Sequence, residues 1–177
     1  DRTLSGFGPG DFVLLQNEMN LGEAVIERAK AKGMQVILNP SPATPALLSW
    51  PLGQVDWLIL NEIEGHDLTG ESAPEKILDV LRQRYPSCRV VLTLGDKGAY
   101  YADASQRLFQ PAIKATVVDS TAAGDTFTGY FFCAVLEGQP VARALRLAAT
   151  ASAIAVGRAG AGVSIPLRAE TEARMGE

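Results

Sequence analysis

Cysteine, histidine and tryptophan are scarce: the 177 residues hold two Cys, one His and two Trp. Cys88 and Cys133 show neither a Cys-x-x-Cys pair nor zinc-ligand spacing, and the lone His66 cannot complete a metal set with them. So little cysteine points to a reducing, cytoplasmic setting rather than a disulfide framework. No apolar run approaches the roughly 20 residues that span a bilayer, so a membrane partner is not expected. Positive charge is also short, with 16 Lys+Arg against 20 Asp+Glu and a net charge of −4. A nucleic-acid or anionic-membrane binder would normally carry a basic patch, and that class is set aside. Internal repeats, low-complexity segments and long linkers are absent as well. Finally, there is no initiator Met: the chain opens Asp1-Arg2-Thr3 and a strand-like run begins already at Asp11. That suggests a fragment of a longer protein.

What is present is an ordinary globular composition, 47% hydrophobic and 20% charged, over a length that fits one domain, 1–177, with a real core. Short apolar runs alternate with helical patterns. Phe12–Gln16 reads as a strand buried on both faces, followed by a helix over Leu21–Lys32 with Val25, Ile26 and Ala29 on one face and Gly33 as its stop. Gln35–Asn39, Trp57–Asn61 and Arg89–Leu94 repeat the strand pattern, with a helix over Pro74–Tyr85 between the last two. Ala99–Ala102 and Arg107–Gln110 read as an antiparallel edge hairpin. Helices over Gly124–Leu136 and Val141–Val156 follow, then a Gly-rich stretch, Gly157–Gly162, and a polar tail. Strand and helix alternating at this spacing predict βαβ units and a mainly parallel α/β sheet.

The most informative segment is Asp119-Ser120-Thr121-Ala122-Ala123-Gly124-Asp125-Thr126-Phe127, where small residues run directly into an amphipathic helix. Ala122, Ala123 and Gly124 have almost no side chain, so a ligand can approach their backbone N–H groups closely. At a helix start such donors lack internal partners and sit at the positive end of the dipole, which suits phosphate oxygens. Asp125 in the same turn is placed to accept a proton from an attacking hydroxyl. The residues alone leave a plainer reading open: Asp119 or Ser120 as a helix cap, with Ala-Ala-Gly as a tight turn.

This segment resembles the C-terminal signature of the ribokinase-like carbohydrate kinases, Asp-Thr-x-Gly/Ala-Ala-Gly-Asp-x-Phe. Three more segments match in the family's order. Asn61-Glu62-Ile63-Glu64 resembles its Asn-x-x-Glu motif, Thr93-Leu94-Gly95-Asp96-Lys97-Gly98 its nucleotide loop, and Arg158 to Ser164 its monovalent-cation loop. The resemblance covers nearly the whole chain from about Asp11. Gln16-Asn17-Glu18 and Asn39-Pro40-Ser41-Pro42 are most similar to the members that act on ribose.

The resemblance implies a three-layer α/β/α fold and ATP-dependent phosphorylation of a sugar hydroxyl, most simply D-ribose to D-ribose 5-phosphate. Asp125 would be the general base and also touch the sugar, with the Ala122, Ala123 and Gly124 backbone as an anion hole. Asn61, Thr93, Gly95, Asp96, Lys97, Gly98, Gly124 and Ala149 would line ATP, and Glu18 would contact the sugar. Glu64 would help hold Mg²⁺, and Asp119, Thr121, Ala155, Arg158, Gly160 and Ser164 would hold K⁺. Taken singly, Asn61 and Glu64 read as a helix cap and a solvated charge, and Gly95 to Gly98 as a β-turn. The sequence departs from the family in two places. Ala149 stands where a His is common, and the N-terminal half with its Gly-Gly and Asn sugar motifs and β-sheet lid has no counterpart here. The homodimer that the family forms through that lid is therefore implied only at a distance. A Rossmann dehydrogenase would need Gly-x-Gly-x-x-Gly after the first strand, where Asn17-Glu18-Met19-Asn20 stands instead. A fructokinase, a 2-keto-3-deoxygluconate kinase and a non-catalytic nucleotide-binding module remain alternatives.

Overall fold

A computed structural model describes residues 3–176. The strands are β1 (Phe12–Gln16), β2 (Gln35–Asn39), β3 (Trp57–Asn61), β4 (Arg89–Thr93), β5 (Gly98–Ala102) and β6 (Arg107–Pro111). The helices are α1 (Gly22–Ala31), α2 (Glu62–Thr69), α3 (Pro74–Arg84), α4 (Ala123–Leu136), α5 (Val141–Ala155) and α6 (Arg168–Met175). The sheet runs β1-β2-β3-β4-β5-β6, and the first four strands are parallel. Among the described residues no helix is long and apolar enough to cross a membrane. Contacts divide the chain into two compact units, one reaching to Leu94 and including Tyr100–Arg107, the other made of Gly95–Ala99 and the chain from Leu108 onward.

The first unit is built on large aliphatic side chains. Continuous apolar runs put Val36, Leu38, Leu58, Leu60, Val90 and Leu92 into one core with Ile26 and Ala29 of α1 and Ile77, Leu78 and Leu81 of α3. Full burial of each such Val, Leu or Ile contributes roughly 1.5–3 kcal/mol. The opposite strand positions Ile37, Trp57, Ile59 and Val91 are buried too, as parallel strands covered on both faces require. The Arg89 guanidinium lies over the Trp57 ring, 4.8 Å from its centroid, and shares Gln35 with the indole N–H. Strand β1 departs from expectation: Leu14 is 46% exposed and only Leu15 is buried. It is the outer strand of the described sheet, paired only with β2, so its faces are less covered than those of β2 to β4.

The second unit is helical and packs small side chains. Ala144, Ala148, Ala151 and Ala155 of α5 are fully buried, and α4 packs closely on α5. Phe127 and Phe131 stack at 6.3 Å along α4, and Phe132 meets Phe131 edge-on at 5.1 Å. The tail expected to be merely polar forms α6. It is fastened by polar contacts: Arg168 to Glu137 and to Glu172, Arg158 to Glu170, and Arg146 Nη2 to the Met175 carbonyl.

Candidate functional site

Helix α4 begins without a side-chain cap, so neither Asp119 nor Ser120 serves as one. Ala122 precedes it at φ 60°, ψ 12°, the left-handed region that costs an L-residue roughly 1–2 kcal/mol. That turn sends the Ala123 N–H back to the Ser120 carbonyl at 3.2 Å. The first bond along the helix is Thr126 N–H to the Ala122 carbonyl at 2.9 Å. Between them, the Gly124 and Asp125 N–H groups have no acceptor among the described residues. Of the donors expected from sequence, Ala123 is thus largely occupied, and the N–H of Asp125 itself is the addition. A Cβ at Gly124 would meet nothing within 4 Å, so packing does not require glycine there. The missing side chain leaves the helix end open. The Asp125 side chain is exposed in the same first turn. Behind it the Ser152 hydroxyl donates to the Ala123 carbonyl at 3.1 Å, tying the α4 start to α5. The Thr126 hydroxyl is buried with no partner among the described residues. Sequence reading passed over it because Thr at a helix start is unremarkable.

Just before α4, Asp119 joins two loops. Its Oδ1 accepts the Thr121 N–H and its Oδ2 accepts the Gly160 N–H, each at 2.9 Å. The Val156 carbonyl accepts from both Val118 and Asp119, at 2.7 and 3.1 Å. Bonds from the Thr121 hydroxyl and N–H and the Gly160 N–H hold the Asp119 carboxyl down to about 2. Gly160 sits at φ +92°, which only glycine adopts freely. Asp119, Thr121 and Gly160 are thereby joined next to Val156, and in the same loop the Arg158 N–H donates to the Ala155 carbonyl at 3.0 Å. The Asp119 carboxylate retains acceptor capacity beyond these three bonds, and with the neighbouring carbonyls its oxygens suit a hard monovalent cation. Ser164 is fully buried, and its hydroxyl donates to the Ala161 carbonyl at 2.6 Å. Ala149 is buried within α5.

Gly95–Lys97 form an exposed 3₁₀ turn. Gly98 is required by the fold: its φ is +128°, and a Cβ there would lie 2.1 Å from the Gln110 carbonyl oxygen.

In the first unit the strand ends carry the other candidates, where parallel sheets usually receive ligands. Asn61 and Thr93 are register partners at the C-terminal ends of β3 and β4. The Asn61 side chain accepts the Glu64 N–H while Glu64 Oε2 accepts the Asn61 N–H, both at 2.9 Å, a complete capping box that opens α2. Glu64 is buried rather than solvated, and its Oε1 stays outside the box. At β1 and β2, Gln16 pairs with Asn39, and Asn17 Nδ2 donates to the Pro42 carbonyl at 2.6 Å and to Thr44 Oγ1 at 3.2 Å. The segments Gln16–Glu18 and Asn39–Pro42 are therefore joined. Glu18 is exposed beside them and makes no hydrogen bond to the other candidates.

The sequence profile of the pfkB family carbohydrate kinases matches residues 4–168. The chain belongs to that family. Among curated pfkB relatives, the chain is 35% identical over 167 residues to the ribokinase of Lactococcus lactis, covering 93% of this chain and 54% of that protein. It is 36% identical over 168 residues to the ribokinase of Haemophilus influenzae, with 91% and 54% covered. The crystal structure of ribokinase from Thermotoga maritima is similar at TM-score 0.79 and 34% identity, over 99% of this chain and 59% of that one. Arabidopsis thaliana ribokinase complexed with ribose and ATP is similar at TM-score 0.82 and 33% identity, over 93% and 55%. The pfkB chain described here thus spans about half the length of these relatives.

Proposed function

We propose that this chain carries the nucleotide-binding and catalytic part of an ATP-dependent sugar kinase acting on D-ribose. The observation that carries the reading is the open start of α4, with unpartnered Gly124 and Asp125 N–H groups beside an exposed Asp125 carboxylate. Phosphoryl transfer asks for positioning and charge stabilisation more than covalent chemistry. Two N–H donors and the positive end of a 14-residue helix stabilise the charge spread over the transferred group's oxygens. Asp125 takes the proton of the attacking sugar hydroxyl as the hydroxyl oxygen bonds the γ-phosphorus of ATP and the bond from that phosphorus to the bridging oxygen breaks, releasing ADP. Thr93, Gly95, Asp96, Lys97, Gly98 and Ala149 line ATP in this reading, and Glu18 contacts the sugar.

Glu64 and Asn61 serve Mg²⁺ and the phosphates through water. A free Oε1 on a buried, fixed carboxylate fits a cation that keeps most of its waters. Bound Mg²⁺ would neutralise phosphate charge. The oxygen-lined junction at Asp119 fits K⁺, which would hold the 119–121 and 155–160 loops together just ahead of the α4 start. Ribose is favoured over other sugars by the ribokinase relatives at about 35% identity and by the Arabidopsis complex with ribose and ATP.

The test is ATP-dependent ADP release with D-ribose, Mg²⁺ and K⁺ by the native protein and its Asp125→Asn variant. The variant is expected to lose about 10²–10⁴ in kcat while keeping ATP affinity. Near-normal kcat in the variant contradicts the assignment. Turnover with fructose but not ribose would keep the mechanism and move the substrate.

A further inference from the structure

Away from the α4 start, the second unit holds a groove of about 910 Å³ between the 114–116 segment, the end of α5 and α6. Its walls carry Lys114, Arg158 and Arg174 against a single carboxylate, Glu170, in a chain whose overall charge is negative. Two of the three cations have no ion pair among the described residues. Lys114 makes no ion pair among the described residues. Arg174 is fixed by a neutral acceptor, donating from Nη2 to the Lys114 carbonyl at 2.9 Å, which leaves its remaining N–H groups and its charge available. Among the described residues only Arg158 of the three is paired, with Glu170. Ala153 and Ile154 of α5 also line it. None of Gly95 to Gly98, Gly124 or Ala149 lines this groove, so it is separate from the residues assigned to ATP.

We propose that this groove is a second anion site that takes a small phosphate monoester, with Lys114 and Arg174 holding the phosphate and the organic body lying beside Ala153 and Ile154. A guanidinium held at one corner presents its other N–H groups as a fork for phosphate oxygens, and a free ammonium supplies a second point charge. The volume lies within the range of small-molecule sites and exceeds what bare phosphate fills. Glu170 keeps Arg158 occupied and opposes a second anion, so it sets the affinity from the other side. The inference stands independently of the kinase reading.

The experiment is an NMR titration of the full chain with ribose 5-phosphate and, separately, with inorganic phosphate. Expected are saturable shifts centred on the amides of residues 114–116, 157–158 and 170–174, with the monoester binding more tightly than phosphate. Lys114→Gln, whose exposed side chain supports nothing else, should weaken binding severalfold, and K114Q/R174Q by about tenfold or more. Lys114→Arg should restore it, and Glu170→Gln should tighten it. Shifts centred on residues 123–125 instead, affinity unchanged in both Gln variants, equal binding of phosphate and monoester, or no saturation up to about 10 mM would each overturn the proposal.

Discussion

Helix α2 opens with a complete capping box: the Asn61 side chain accepts the Glu64 N–H, and the Glu64 side chain accepts the Asn61 N–H. Helix α4 opens the other way, on a left-handed Ala122 with no side-chain cap and with Gly124 and Asp125 N–H groups unclaimed. Both starts are rich in residues that could cap, yet only one is closed. A protein gains about 1 kcal/mol from a good cap, so leaving a 14-residue helix uncapped forgoes stability that its neighbour takes. On the proposed reading the difference separates two kinds of ligand: the donors left open at α4 suit an anion, and the fixed carboxylate with one oxygen outside the box at α2 suits a cation.

The contrast can be tested step by step. Asp125→Asn should have the largest effect, a loss of about 10²–10⁴ in turnover with ribose, because it removes the proposed base at the open start. Gly98→Ala comes next but acts on folding. The added Cβ meets the Gln110 backbone, and a left-handed φ is imposed on Ala, so a loss of about 2–4 kcal/mol in urea unfolding is expected. Asn61→Ala opens the closed start and should cost about 1 kcal/mol, whereas Ala122→Gly at the open start should cost nothing or stabilise by relieving positive φ.

Gly124→Ala sharpens the comparison best among the small effects. With nothing within 4 Å of the new Cβ, it should raise stability by about 0.5–1 kcal/mol, as in an ordinary helix, yet weaken ATP binding by intruding at the anion position. Gain in stability with unchanged ATP affinity would contradict an anion site there. The smallest effect is on pH. The Asp119 carboxyl is held at about 2 against an ordinary 3.8, so its bonds to Thr121 and Gly160 are fully present above about pH 4. The stability they add is lost as pH falls through about 2. Gly160 amide exchange followed by NMR between these values should report the loss, which Asp119→Asn should abolish.

Much of the first unit is legible in the sequence because buried parallel strands write themselves as unbroken apolar runs, and Val36, Leu38, Leu58, Leu60, Val90 and Leu92 do so. Helix α2 is not, since its stretch mixes charge with an exposed Ile63 and a mid-helix glycine. Gly65 has a reason to be there: a Cβ would lie 2.9 Å from Ile77 Cγ2, so it lets α2 approach α3. Helix α6 escapes the pattern because only Thr171 is buried and salt links hold the rest. Exposure of Leu14 depends on which strands pair with β1, which no local pattern encodes. At the candidate site, the small residues before Asp125 point to an open helix start but leave a capped tight turn equally open. The Asp119–Gly160 bond joins residues 41 apart in sequence, and the buried Thr126 hydroxyl depends on surrounding packing, so both required coordinates.

The most direct measurement of the central claim is an NMR titration of the chain with MgATP, following the amides of Gly124 and Asp125 beside those of Glu64 and Asn61. The account predicts large, saturable downfield shifts at Gly124 and Asp125, whose N–H groups gain phosphate acceptors, and small ones at Asn61 and Glu64, whose N–H groups are already bonded. Saturation by MgATP with Gly124 and Asp125 unmoved would contradict it.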